Sequence, residues 1–217
     1  MRTKLFAALT LALLTLPAAA SAQIGIGGRV GSTGLGADLG LGLSPGLMLR
    51  GGIGIQPVNP SATLSGIDFE LNLPSSFIQG GIELFPGGGG FRIAGGILYK
   101  PDDITMSGTF NSDQQIGNAH YTPAQIGTIT GTATSARSMA PYGMIGFGRI
   151  ASKGIGLYLD LGAAFVGEYT LTVTSNGQYK TNATFMADLD RQKAKWEDDL
   201  NKYKIYPMVN LGLRIGF

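Results

Sequence analysis

The chain has 217 residues, with 16 basic side chains against 14 acidic ones, 35 glycines and no cysteine. The near-balanced charge carries no basic stripe, which excludes an ordinary nucleic-acid binder, and the lack of cysteine excludes a disulfide scaffold or a lipid-anchored N-terminus. The glycines follow no G-X-Y period and stand among Leu, Ile and Phe, so neither collagen nor disorder fits, and the length suits one domain.

The chain opens with MRTKLFAALTLALLTLPAAASAQ. Two cations, Arg2 and Lys4, precede a short apolar run, and Ala20-Ser21-Ala22 stands just before Gln23. This is the layout of a secretory signal peptide cut after Ala22. A membrane helix fits less well, because the run is short and is broken by Thr10, Thr15 and Pro17. Residues 1–22 are thus expected to be a signal peptide and residues 23–217 the working domain. Without Arg2 and Lys4, the 16 basic residues fall to 14, equal to the 14 acidic ones.

Beyond Gln23, apolar residues alternate with polar residues or glycine, the period of a strand with two unlike faces. IGIGGRVGS (24–32) sets Ile24, Ile26 and Val30 against Gly25, Gly27, Arg29 and Gly31. LGADLGLGL (35–43) sets Leu35, Ala37, Leu39, Leu41 and Leu43 against Gly36, Asp38, Gly40 and Gly42. The same pattern predicts strands over 47–57 (with Arg50), 76–85 (Gln79, Glu83), 91–100 (Arg92, Lys100) and, more weakly, 139–148. The seventh, 154–174, is the longest: Ile155 through Val173 oppose Tyr158, Asp160, Glu168, Thr170 and Thr172. The eighth is 203–217. Three connections are tight Pro/Gly turns, SPG (44–46), PGGGG (86–90) and ASKG (151–154). The alternate ones, 58–75, 101–137 and 175–202, are long, and only the first, near Ser32-Thr33-Gly34, is short.

An even number of strands with short turns at one end and long loops at the other predicts an all-β fold: an eight-stranded antiparallel transmembrane β-barrel of the bacterial outer membrane. The apolar face would look out at lipid and the polar face into the lumen, and closure would leave no backbone edge unpaired in hydrocarbon. The alternative is a soluble lipocalin-like barrel or sandwich with the apolar face inside. Its polar face, mostly glycine with scattered charges, would be a poor solvent coat.

The chain ends NLGLRIGF, alternating to its last residue. Val209, Leu211, Leu213, Ile215 and Phe217 would face lipid. Asn210, Gly212, Ile215 and Phe217 resemble the C-terminal assembly signal of bacterial outer-membrane proteins, which implies the barrel-assembly machinery as a partner. A wider resemblance is carried by RVGSTGLGADL, APYGMIGFG, KGIGLYLDLGAAFVG and a charged helix-prone stretch before the last strand. These are similar to the CarO-type small outer-membrane proteins. The resemblance implies an outer-membrane location, lipid around the barrel, and uptake of small solutes, amino acids among them.

The strand phases place Arg29, Arg50, Arg92, Lys100, Lys204 and Arg214 in the lumen, with Asp38, Asp68, Glu70, Glu83, Asp160 and Glu168. An eight-stranded barrel can be largely filled by its own side chains, and charges in such a core must pair. One reading is therefore a salt-bridged plug in a non-conducting barrel. The other is a narrow channel, toward which the many inward glycines tilt the expectation by vacating volume. No catalytic role is expected: the single histidine, His120, lies in the 101–137 loop outside any motif. No metal or other cofactor is implied. Finally, TFMADLDRQKAKWEDDLNKYK (184–204) spaces Phe185, Leu189, Trp196, Leu200 and Tyr203 as on a helix. It is expected as a short loop helix, either solvated or resting as a lid on the rim.

Overall fold

A computed structural model describes residues 23–57, 59, 61–64 and 67–217; the signal peptide expected over residues 1–22 lies outside them. Strands β1 (Gln23–Gly31), β2 (Gly34–Ser44), β3 (Leu47–Ile55), β6 (Ser76–Leu84), β7 (Phe91–Tyr99), β12 (Met139–Phe147), β13 (Gly154–Phe165) and β15 (Ile205–Gly216) close into an antiparallel barrel. The sheet closes where β1 pairs with β15, Gly28 opposite Leu213. Alternation sets the two surfaces as expected. Ile26, Ile53, Leu157 and Leu213 point outward, 54–66% exposed, while Arg29, Arg50, Arg92 and Asp160 point inward and are buried. That is the reverse of a soluble barrel, whose aliphatic face would be inside.

The turns at one end are short. Pro45 and Gly46 join β2 to β3, a 3-10 turn (Pro86–Gly88) joins β6 to β7, and residues 148–153 join β12 to β13. At the other end only the β1–β2 turn is short, with Gly34 at φ +78° where a side chain would be strained.

The three long connections are not loops. They contribute β4 (Ser61–Leu64), β5 (Ile67–Asn72), β8 (Ile104–Gly108), β11 (Ile129–Ser135) and β14 (Tyr169–Ser175) to a second sheet ordered β14-β11-β8-β5-β4. Strands β9 (Gln114–Ile116) and β10 (Ala119–Tyr121) form a hairpin, and α1 (Pro123–Ile126) is a single turn capped by Thr122. The order of β14, β11, β8 and β5 repeats that of β13, β12, β7 and β6 beneath them. The second sheet is therefore an upward extension of one side of the barrel wall. Backbone bonds knit the joint: Ala136 N–H to Glu168 O (2.7 Å), Arg137 N–H to Val166 O (3.1 Å) and Lys100 N–H to Ser138 O (2.9 Å).

The seventh strand, expected to run through residue 174, therefore ends at Phe165. Val166 turns inward, Gly167 takes φ +79°, and the chain re-enters order as β14. Helix α2 (Ala183–Leu200) begins at Asn182, whose Oδ1 accepts the N–H groups of Thr184 and Phe185 at 3.0 Å. It is neither solvated all round nor a loose lid. Phe185, Leu189 and Trp196 are buried in one core with Phe69, Met106, Ile129, Ala133 and Leu171 of the second sheet. Trp196 meets Phe69 edge-on at 5.3 Å. Tyr203, expected to extend that stripe, lies past the helix and is 70% exposed.

α2 also covers the β14 edge. The side chain of Asn201 accepts the Tyr169 N–H (2.7 Å) and donates to the Tyr169 carbonyl (3.1 Å), as a neighbouring strand would. Glu197 accepts the Leu171 N–H at 3.2 Å. Bonded in this way, the edge offers less to a passing strand.

Candidate functional site: the barrel lumen

The lumen is the place where a barrel of this size could pass or bind a solute. Its middle is occupied by six charged side chains from six strands. Asp38 accepts from Arg29 and from Arg50 (2.8 Å); Glu83 lies 3.1 Å from Arg50 and 3.3 Å from Arg92; Asp160 lies 2.9 Å from Arg50 and also pairs with Arg92. Arg50 thus touches all three carboxylates. Three positive and three negative charges cancel, and every one of these side chains is 0–1% exposed.

Neutral groups complete the network. The Tyr158 hydroxyl donates to Asp38 at 2.7 Å, and Gln79 Nε2 donates to the same carboxylate at 3.2 Å. The Tyr158 ring lies between two guanidiniums, 5.1 Å from Arg50 and 5.8 Å from Arg92. Toward the cap, Arg29 Nε donates to Thr33 Oγ1 (3.2 Å), which donates in turn to Asn210 Oδ1 (2.8 Å).

The space beside several glycines is filled by side chains. Long side chains from other strands lie over them. The Tyr158 ring sits where Gly27 or Gly212 would carry a Cβ; Arg29 covers Gly36, and Arg92 covers Gly146. Gly81 and Gly96 receive the Tyr142 hydroxyl. Guanidiniums and aromatic rings take up the volume beside these glycines.

Both ends are closed by apolar layers. On the cap side Phe77, Leu98, Ala140, Tyr142, Met144, Ala164 and Met208 join the core beneath the second sheet and α2. At the turn end Met48, Phe85, Ile150 and Ala151 pack below Tyr158. The 148–153 turn is held in by Arg149, whose guanidinium donates to the Ser44 carbonyl (2.6 Å) and to that of Pro45, and lies 4.8 Å from the Phe85 ring.

Of the residues assigned to the lumen from sequence, Arg29, Asp38, Arg50, Glu83, Arg92 and Asp160 come together. Arg214 lies at the turn-end mouth, half-buried, donating to the carbonyls of Ser152 and Gly154. Lys100 is buried at the joint between barrel and second sheet. Four placements are corrected. Asp68 and Glu70 belong to β5 and are exposed on the second sheet, while Glu168 and Lys204 pair with each other at 2.7 Å on the outer rim. These four follow segments where the chain leaves the barrel, so the strand phase no longer applies.

Tyr158, Gln79 and Thr33 were not singled out as site residues. Tyr158 and Gln79 share the inward parity of Asp160 and Glu83, a signal present in the sequence. Thr33 sits in a turn, where parity says nothing.

Of the four residues resembling an assembly signal, Asn210 is buried in the network and Gly212 lies against Tyr158. Ile215 and Phe217 face outward, and the Phe217 N–H donates to Ile24 O at 2.8 Å. His120 is exposed on β10, and among the described residues no group of three or more His, Cys, Asp and Glu is placed to hold a metal.

In the cap, Asp188 on α2 fastens the β9–β10 hairpin. It accepts the Tyr121 hydroxyl (2.7 Å) and the Asn118 N–H (3.2 Å), and pairs with Arg191 at 2.5 Å. Its neighbours close over it close beneath the surface. The Tyr121 hydrogen bond, foremost, holds the Asp188 carboxyl below its usual range. Burial first, then the bond to Asp188, pushes Tyr121 up to about 12.

No family model matches the chain, and no curated protein matches it. Solved structures do. A crystal structure of CarO2 from Acinetobacter baumannii is 24% identical over 91% of this chain and 100% of that one, with a TM-score of 0.63. A crystal structure of CarO from the same organism is 22% identical over 89% of this chain and 97% of that one, with a TM-score of 0.58. The chain therefore has the fold of the CarO-type small barrels.

Proposed function

We propose that the protein is an outer-membrane barrel whose lumen does not conduct, and which serves as a rigid mount for the cap formed by the second sheet and α2. The observation that carries this reading is the charge network: three guanidiniums and three carboxylates across the lumen, each in at least one ion pair and none more than 1% exposed. An ion or amino acid could pass only by parting these pairs, and an unpaired buried charge is costly. The apolar layers above and below would have to open as well. Solute uptake, which the CarO-type resemblance implies, has no preformed path here.

The membrane location is supported by the aliphatic outer band. Barrel strands of 9–12 residues are long enough to span a bilayer when tilted. Refolded protein in planar bilayers should give silent traces, and proteoliposomes should not swell in small amino acids. Reproducible single-channel steps would overturn the sealed reading. Recovery of the processed chain in the soluble periplasm would overturn the location.

A further inference from the structure

We propose that the turn end of the barrel holds an anionic glycerophospholipid of the periplasmic leaflet, its headgroup against the 148–153 turn and an acyl chain along the β1–β15 seam. The inference rests on the membrane-barrel reading above, which puts the short turns on the periplasmic side.

The charge at this end is one-sided. Arg149, Lys153 and Arg214 converge on the turn between β12 and β13. The first two belong to it, and the Arg214 guanidinium donates to the carbonyls of Ser152 and, at 3.3 Å, Gly154. Arg149 donates to the carbonyls of Pro45 and, at 2.6 Å, Ser44. A guanidinium bound to neutral carbonyls is positioned but keeps its full charge. None of the three cations is in an ion pair among the described residues, whereas Arg191, Lys202 and Lys204 in the cap each meet a carboxylate. No Asp or Glu occurs in 23–25, 42–48, 84–91, 147–156 or 214–217, the segments that build this end. Glu83 and Asp160, further in, are matched by Arg50 and Arg92. The terminal carboxylate of Phe217 offsets one cation of the three. Lys153 is exposed, and Arg149 and Arg214 are half-buried, so the surplus lies at the rim.

A groove leads up the outer wall from that rim. Gly28 faces lipid opposite Ala37 of β2, and a Cβ on it would touch nothing within 4 Å. Two hollows meet at this dent. One, of about 410 Å³, runs past Ile26, Leu213 and Ile215 to Phe217; the other, of about 460 Å³, runs past Val30, Leu35 and Leu211. From Leu211 to Phe217 the strand advances six residues, about 20 Å, which at a tilt of ~40° covers about 15 Å of depth, half the hydrocarbon core. An acyl chain of one leaflet spans that depth. Lys153 precedes Gly154, whose partner on β15 is Gly216, so it stands one strand from Phe217, where the groove ends. Apolar groove and cationic rim thus meet at the height where a phospholipid joins its chains to its phosphate. A second copy of the chain, set side by side in the same membrane, would instead bring like charges together.

The test uses the full processed chain refolded in non-ionic micelles, with the heat-modifiable gel shift confirming the barrel. Retained lipid is counted by native mass spectrometry against phosphatidylglycerol and phosphatidylethanolamine with identical acyl chains. Wild type should prefer phosphatidylglycerol. Lys153→Gln should lose roughly five-fold toward it and nothing toward phosphatidylethanolamine, as for one ion pair at a wet surface; Lys153→Arg should keep the preference and Lys153→Glu abolish it. Gly28→Ile fills the dent from the lipid side. It should lower retention of both lipids by about three-fold and keep the preference between them, because a chain leaving detergent gains packing rather than hydrophobic burial. Equal retention of the two lipids by wild type, or a preference untouched by Lys153→Glu, overturns the inference while leaving the membrane reading intact. So does Lys153-dependent binding to purified peptidoglycan without any preference between the lipids, which would give this end to the cell wall. A chain that stays folded and soluble without detergent overturns the membrane reading instead.

Discussion

Removing Asp160 gives the sharpest trial of the sealed lumen. Its carboxylate holds Arg92 and lies 2.9 Å from Arg50. After Asp160→Ala, Arg50 keeps Asp38 and Glu83, and Arg92 keeps Glu83, but the neutral set becomes positive by one charge with no exposed surface on which to screen it. Breaking a buried pair from one side costs about 3–5 kcal/mol. The double change Asp160→Leu with Arg92→Met restores neutrality with side chains of similar bulk, and such exchanges are often neutral or stabilising by ~1–4 kcal/mol. Urea unfolding of the micelle-embedded barrel, read by the gel shift between folded and unfolded bands, gives both numbers. The reasoning fails if the single variant lies within about 1 kcal/mol of wild type, the size of an exposed pair. It fails equally if the double variant is as weak as the single one. Either result means water already reaches the charges.

Other outcomes follow from the same geometry. Gly212→Ala should cost about 1–3 kcal/mol by overpacking, since the Tyr158 ring it would strike is tied to Asp38 and flanked by two arginines; combining it with Tyr158→Leu should recover part of the loss, and a neutral Gly212→Ala would show the ring free to move. The β9–β10 hairpin should loosen on acidification: a carboxyl held below its usual 3.8 stabilises the fold above that pH, and the contribution is lost as pH falls through the lowered value. The protection factors of amides 114–121, taken relative to the intrinsic exchange rate at each pH, should fall below about pH 4 in wild type and be low at every pH in Asp188→Asn; protection unchanged down to pH 2 would count against the clamp. Tyr121, raised to about 12, works oppositely, stabilising below its usual 10 and releasing as pH climbs past that toward 12. Phe217→Asp should cut the amount of assembled barrel in cells far more than it weakens protein refolded in vitro, and normal membrane yield would show that the strand carries no assembly information.

The barrel was legible because period two holds wherever one face meets lipid. The failure at β13 is instructive. Ile155 to Phe165 are apolar because they face outward, whereas Tyr169, Leu171 and Val173 are apolar because they face the cap interior. Both sets fall on odd positions, so the stripe reads straight through a place where inside and outside exchange. The cap sheet was hidden for a related reason. Its strands come from three separate connections, and pairing such as Thr132 with Thr172 and Thr105 is long-range, leaving no local mark. Six of the lumen charges were readable from parity, but their pairing was not. Which carboxylate meets which guanidinium depends on barrel stagger, and alternation alone does not fix it.

The cap also bears on how the molecule stays where it is put. Its sheet draws strands from three separate connections, and none can pair with the next until both stand on the same end of the barrel. Once β14, β11, β8 and β5 have zipped together and α2 has closed over them, no single hairpin can slip back without unravelling its neighbours. The sheet is thus a clasp wider than the wall it rises from, closed only when all three connections are in place. Resistance to extraction should rest on the cap as well as on the barrel, and shortening the β7–β12 connection to a plain turn should lower the force needed to pull the C-terminal strand free.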